Sequence, residues 1–298
     1  MADKIRLSST EGGGNWWRVI TWAADGFKKA GFDVDLQRFG PHGDDTCARV
    51  ATGESDICAT LKSFGHQAVR GTPPFSEKSK GVRGLANVMH PGHIFYAAVT
   101  KDLGVSTFAE LAAKKPKLNL CVPGDQAGQD MVSAMLVEYG IGGLDEVKSW
   151  GGEFFYEYAE AGRLVLAGKS DGIMRENTRL GPVGQASNGR DIVLLSLDRP
   201  IADKLAERFG LDPIELPVGF LRGQTKPVIA LENGGYPLVV GRHMDEGLAY
   251  RLAKAINEAF PAHYTGEDIF YSPKHAPTTG CPLHPGAARY YRDLGVLK

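Results

Sequence analysis

Lys117–Gly140 reads KLNLCVPGDQAGQDMVSAMLVEYG. An apolar run, LNLCV, enters the tight turn Pro123-Gly124-Asp125 and leaves it as a helical pattern from Gln126 to Tyr139. Short apolar runs bounded by turn residues read as buried strands, and a 3.6-residue apolar stripe reads as a helix. The same plan opens the chain. KIRLSS alternates as a strand, Gly12-Gly13-Gly14 makes a turn, and a stripe of Trp16, Val19, Ile20, Ala23, Ala24 and Phe27 follows. Asn15 is the expected cap of that helix and Gly31 its stop. Two strand–turn–helix units point to two similar lobes, each presenting a helix N-terminus at the carboxyl edge of its sheet. That edge is where open α/β sheets bind ligands.

The rest of the chain keeps the alternation. FDVDLQRF, ICAT, VRGLANVMH, HIFYAAVT, DIVLLSL and YPLVVGRHM read as strands. STFAELAAKK, PIADKLAERFG, EGLAYRLAKAINEAF and HPGAARYYRDLG read as helices. The class is α/β with mainly parallel sheets. At roughly 100–200 residues per domain, 298 residues suit two domains. Lys and Arg number 34 against 35 Asp and Glu, so the basic surplus of a nucleic-acid binder is missing. No apolar run reaches the ~18–20 residues of a membrane helix, so no direct membrane insertion is expected. The four cysteines, Cys47, Cys58, Cys121 and Cys281, form no C-x-x-C pair, which argues against zinc. Cys58 and Cys121 fit buried positions, and a Cys47–Cys58 bridge stays open. MADKIRLSSTEGGGNWW has a charged opening without the apolar core of an export signal. The expected location is cytoplasmic if Met1 is native, and periplasmic if a signal was trimmed.

In order along the chain, GGGNWW, ATGESDI, VRGLANVMHPGHIFYAAVTKDLGVSTFAELA, VPGDQAGQD, AEAGRLVLAGKSDGIM and PLHPGAARYYRDLG resemble the TAXI-type solute receptors of TRAP transporters. The resemblance runs over nearly the whole chain. It implies the type II periplasmic-binding-protein fold, two α/β lobes joined by two crossing strands with a ligand cleft between them. The implied lobes are 1–96 plus 237–298 and 97–236, with crossings near Phe95–Thr100 and Tyr236–Gly241. It also implies a small carboxylate ligand, dicarboxylate or amino acid, a TRAP membrane permease as partner and sodium as coupling ion. The chain departs from the family at three places. GGGNWW stands where the family has Gly-Thr-Gly-Gly and then Tyr, Lys62-Ser63 where it has Gln-Ser, and Met174-Arg175-Glu176-Asn177 where it has small or aromatic residues. These are cleft positions, so ligand identity does not carry over.

The candidate ligand-binding residues are Gly13, Asn15, Trp16, Lys62, Ser63, Tyr96, Gln126, Ala127, Gln129 and Arg175. Free N–H groups at a helix start favour an anion, which selects Gly13 to Trp16 and Gln126 to Gln129; a plain strand–helix turn is the alternative at the first. Trp16 and Trp17 point about 100° apart on a helix, one toward the core and one able to wall the cleft. The second turn resembles the family's carboxylate-binding turn, where Asp125 either caps the helix or competes with an anion. Arg175, after the SDGIM strand, either grips a carboxylate bidentately or pairs with Glu176 or another nearby acid. Lys62 is read as ending the ICATL strand, with Ser63 beside it, and a cation from each lobe would suit a ligand with two negative groups. Tyr96 stands where the family often has a polar cleft residue. His90 and His93 are three apart across Pro-Gly, but no third ligand is spaced for a metal.

No nucleophile motif, phosphate loop or dinucleotide fingerprint is present. The leading expectation is a monomeric binding protein without cofactor or metal. The alternative is a cytoplasmic, cofactor-independent lyase, decarboxylase or isomerase on a small carboxylic acid, with His66, His93 or Glu176 as general acid or base. Fold alone does not separate the two.

Overall fold

The computed structural model describes residues 3–9, 14–39, 44–88, 93–177, 181–260 and 271–298. The chain divides into two compact units, 1–92 with 234–298, and 93–233. It passes from the first to the second at 92/93 and returns at 233/234.

In the first unit, β1 (Lys4–Ser9) lies parallel to β2 (Asp33–Arg38) and β3 (Ile57–Ala59). β12 (Pro237–Gly241) runs antiparallel to β3 and to β4 (Val82–Asn87), giving the order β2-β1-β3-β12-β4. The carboxyl ends of β1 to β4 and the amino end of β12 therefore share one edge. Helix α1 (Gly14–Lys29) buries Val19, Ile20, Ala23, Ala24 and Phe27, the stripe read from the sequence. Its start precedes the expected cap, because Asn15 is already the second residue of the helix. Gly31 ends the segment with φ +89°. A Cβ on Gly26 would stand 2.5 Å from the Ala259 Cβ of α10 (Glu246–Ala259), so only glycine lets these helices approach so closely. Helix α2 (Asp44–Thr52) precedes β3, and α3 (Lys62–Arg70) follows it. At the chain's end α11 (Pro285–Asp293) is capped by His284, whose Nδ1 accepts the Gly286 N–H at 3.3 Å. Cys47, Cys58 and Cys281 are buried free thiols here, so the open Cys47–Cys58 bridge is not formed. Desolvation is the first cause lifting the Cys58 thiol above its ordinary range.

The second unit carries a seven-stranded sheet. Its spine is β5 (Ile94–Thr100), antiparallel to β8 (Gly172–Asn177) on one side, and to β9 (Ile192–Leu195) and β11 (Val228–Glu232) on the other. β6 (Leu120–Cys121) runs parallel to β8 and to β7 (Phe154–Phe155), and β10 (Asp212–Leu216) pairs antiparallel with β11. One face packs Phe95, Val99, Leu120, Met174 and Leu195 against Met131, Val132 and Met135 of α5 (Gln126–Val137). The other packs Tyr96, Ala98 and Ile173 against Val165 of α7 (Ala161–Leu166) and Val183 of α8 (Gly181–Ser187). Thr107 caps α4 (Phe108–Lys114) by accepting the Glu110 N–H, and Gly210 closes α9 (Arg199–Phe209) at φ +71°. EFFYEYAEAGRLVLAG reads as a helix in the sequence, whereas it forms β7 first and only then α7; the β10–β11 pair is not among the strands expected. Among the described residues no helix is long and apolar enough to cross a membrane.

Candidate functional site

The second unit gathers several candidates at one sheet edge, where β6, β7 and β8 end and β5 begins. β8 runs through Asn177, so Arg175 lies within the strand rather than beyond it, paired directly with Tyr96 of β5. Successive strand residues face opposite sides. Tyr96, Ile173 and Arg175 therefore share one face and Met174 and Glu176 the other. This alternation turns Arg175 away from Glu176, against the reading of the two as an ion pair.

Arg175 is 9% exposed. Its Nη1 donates to the carbonyls of Val122 (3.2 Å) and Tyr156 (3.0 Å), the residues that follow β6 and β7. The guanidinium thus lies across the carboxyl ends of two neighbouring strands, with its plane set by backbone. It also stands 5.0 Å from the Tyr158 ring centroid, a cation–π distance. His93 stacks on that ring at 6.4 Å and 15°. Desolvation first, then the Arg175 charge, push the His93 imidazole down to about 3, so it is neutral near pH 7. Burial raises the Tyr96 phenol well above its ordinary range, with Tyr158 adding to it, and the Tyr96 ring meets Phe220 edge-on at 6.4 Å.

On the opposite face Glu176 is 7% exposed, and its Oε1 has no hydrogen-bond partner. Desolvation first, and the Asp125 charge second, lift its carboxyl to about 7. Asp125 is the N-cap of α5, and its Oδ1 accepts the Gly128 N–H at 2.7 Å. Of the two roles open to Asp125, the capping one is what the structure displays. A Cβ on Gly128 would lie 2.5 Å from the Pro123 Cβ, so glycine is what lets the helix start press on the turn. The Gln126 amide donates to Asp130 at 2.7 Å and the Gln129 amide to the Pro123 carbonyl at 3.1 Å. Both side chains are turned to their own segment. Ala127 is buried, its contribution confined to backbone.

The first unit's edge has a different make-up. Trp16 packs 6.0 Å from Phe64 and 6.0 Å edge-on from Tyr236. Trp17 lies beneath Arg38, 3.8 Å from the guanidinium carbon, and both tryptophans are half-buried, so neither enters the core as one of them was expected to. Lys62 does not end a strand: β3 stops at Ala59 and Lys62 opens α3. Its stem lies along Gly234, where an added Cβ would meet its Cδ at 2.5 Å. Ser63 is fully buried, and His66 sits four residues along the same helix. His66 therefore belongs to the first unit, and His93 and Glu176 to the second. Gly13 and His90 lie outside the described residues, as does the Asn15 side chain. Among the described residues no group of His, Cys, Asp and Glu could hold a metal ion.

Tyr158, the Tyr156 carbonyl and the electrostatic part of Asp125 escaped the sequence reading. The aromatic spacing in EFFYEY (153–158), which contains the two-residue strand β7, was the available signal.

The profile of the NMT1-like family matches residues 43–295. The chain belongs to the NMT1-like family. Solved structures similar to this NMT1-like chain are solute-binding proteins of low identity. Malate-bound MatC from Rhodopseudomonas palustris is 14% identical, with a TM-score of 0.55 over 98% of each chain. PhnD1 from Prochlorococcus marinus, in complex with methylphosphonate, is 13% identical, with a TM-score of 0.54 over 99% of each chain. The binding-protein component of an ABC phosphonate transporter from Pseudomonas aeruginosa is 12% identical, with a TM-score of 0.50, covering 91% of this chain and 82% of that one. At such identities the likeness carries the fold, that of the two-lobed periplasmic binding proteins.

Proposed function

We propose that this chain is a solute-binding protein that captures a small carboxylate, dicarboxylate or amino acid-like, on behalf of a TRAP-type membrane permease. The observation that carries the reading is Arg175, a buried guanidinium held by two backbone carbonyls at the carboxyl edge of its sheet. A planar fork with a preset orientation matches a carboxylate by two parallel hydrogen bonds. In a low-dielectric setting that pairing is stronger than in water. Neutral His93 and the rings of Tyr96 and Tyr158 surround the charge without adding to it. The ligands named for the similar structures, malate and methylphosphonate, support an anionic solute. On this reading the chain acts in the periplasm as a monomer, and lobe closure on the ligand produces a change of shape that the permease reads.

A second reading is favoured by one observation: Glu176, its carboxyl near 7, shares a sheet edge with the buried guanidinium. A carboxyl poised near neutral pH suits proton transfer in a cofactor-independent enzyme acting on a carboxylic acid. His93, neutral down to about pH 3, is a weak base for that role.

Proton NMR of the protein with pooled organic acids and amino acids, followed over hours, separates the readings. The receptor reading expects one compound broadened with no new signals. A compound consumed, with product signals growing, would replace it with the enzyme. Silence across the pool would remove the carboxylate assignment.

A further inference from the structure

Tyr96 is 2% exposed, and its hydroxyl has no hydrogen-bond partner. A phenol withdrawn from solvent normally finds a partner, because it gives up its hydrogen bonds to water. Packing accounts for the ring and not for the oxygen. The ring meets Phe220 edge-on at 6.4 Å and belongs to the apolar cluster of Ala98, Ile173, Leu216 and Leu221. A phenylalanine would fill that place equally well, so the hydroxyl calls for a role that packing does not supply.

The register of β5 on β8 puts the stem of that hydroxyl beside the proposed anion seat. Tyr96 is the direct cross-strand partner of Arg175. Directly opposed residues of an antiparallel pair share one face, with Cβ atoms ~4.5–5.5 Å apart. A phenol and a guanidinium on stems at that spacing can both touch one carboxylate. Tyr158 connects them. Its ring lies 5.0 Å from the guanidinium carbon, and its phenol acts electrostatically on that of Tyr96. The Glu176 Oε1 also has no partner, but it stands on the opposite face of β8 and is outside this arrangement.

We propose that the Tyr96 hydroxyl is a specificity-determining ligand contact, donating a hydrogen bond to an oxygen of the carboxylate gripped by Arg175. The proposal rests on Arg175 being the seat of that carboxylate. The guanidinium supplies the charge and the phenol a neutral donor beside it. Together they select a free carboxylate over its ester or amide. An ester loses the charge, and a primary amide sets its own N–H donors against donors on both sides.

The test compares wild type, Tyr96→Phe and Arg175→Ala by calorimetric titration of L-malate, with thermal melts of the ligand-free proteins. An acid from the pool that binds where malate does not takes malate's place in the titration. Tyr96→Phe should weaken binding by about tenfold or more, the loss of one hydrogen bond to a charged group. Its melting temperature should equal or exceed that of the wild type, because a buried hydroxyl without a partner has been removed. A near-ultraviolet difference spectrum should show a tyrosine shift when the wild type binds, and Tyr96→Phe should lack it. Unchanged affinity in Tyr96→Phe overturns the proposal, whatever the melt. If affinity and melting temperature fall together, the spectrum decides: a tyrosine shift lost in the variant upholds the contact, and the same spectrum in both proteins overturns it. Unchanged affinity in Tyr96→Phe with binding abolished in Arg175→Ala sinks this inference and leaves the carboxylate reading standing. Equal affinity in wild type and Arg175→Ala overturns the shared seat. No malate binding, with the pooled acids also silent, sinks both readings.

Discussion

At the first unit's sheet edge, Trp16 stands against Phe64 and Tyr236, and Lys62 lies half-buried along Gly234. At the second unit's edge, Arg175 and Glu176 are both less than a tenth exposed, and Arg175 is tied to two strand-end carbonyls. The difference is one of dielectric and of shape. The charge of a half-exposed ammonium is screened by solvent. A buried guanidinium presents a planar fork whose orientation two carbonyls hold. On the proposed reading, charge selection would rest on Arg175 in the second unit more than on Lys62 in the first.

The largest expected effect follows from that contrast. Arg175→Ala should weaken carboxylate binding by a hundredfold or more, on the order of 3 kcal/mol for truncating a buried charged partner. Lys62→Ala should cost under about tenfold, as expected of a half-exposed charge. Arg175→Lys, which keeps charge but not the fork, should fall between them. Calorimetry on the three variants, with near-ultraviolet dichroism to check folding, measures this. Equal losses at Arg175 and Lys62 would erase the contrast.

Next come the titrating groups. The Glu176 carboxyl sits at about 7 in the fold, above its ordinary 4.5. Between these values the folded state holds a proton that the unfolded chain has released, so stability falls as pH rises through the window and is level above it. The contribution is on the order of 3 kcal/mol. His93 acts in the opposite sense. Its imidazole is lowered from 6.5 to about 3, so the unfolded chain binds the proton first and stability falls as pH drops below 6.5. Thermal melts from pH 3.5 to 8.5 should therefore flatten on the alkaline side in Glu176→Gln and on the acid side in His93→Gln.

Smaller effects sharpen the comparison between units. Gly128→Ala and Gly26→Ala each place a Cβ 2.5 Å from another Cβ. Each should cost about 1–3 kcal/mol by overpacking. Gly128→Ala moves the start of α5 and should also weaken ligand binding, whereas Gly26→Ala lies between α1 and α10 and should leave affinity unchanged. Smallest is Trp16→Phe, which keeps an aromatic against Phe64 and Tyr236 and should change stability by less than about 1 kcal/mol in a denaturant melt.

Much of the fold was legible because its signals are local. The stripe Val19 to Phe27, the Gly31 and Gly210 stops and the Asp125 turn all rest on residues a few positions apart. β7 reads as helix because its two residues carry no period of their own and run into the helical AEAGRLVLAG, and β10 escaped because Pro213 disguises a strand. Lys62 was read as ending a strand because the apolar run ICATL continues past Ala59 into the start of α3. The site was legible in its parts and not in its arrangement. Arg175 and Glu176 are adjacent in sequence, and period-two alternation already sets them on opposite faces. What no local pattern contains is the reach of Arg175 across β6 to the Tyr156 carbonyl, or the electrostatic influence on Glu176 of Asp125, some fifty residues away in sequence.

The most direct test sets wild type and Arg175→Ala side by side in ligand-observed proton NMR, with pooled organic acids, amino acids and methylphosphonate. The account predicts one anion broadened by the wild type and released by the folded variant. The same broadening by both proteins would contradict it, because the ligand would then be held somewhere other than the buried guanidinium.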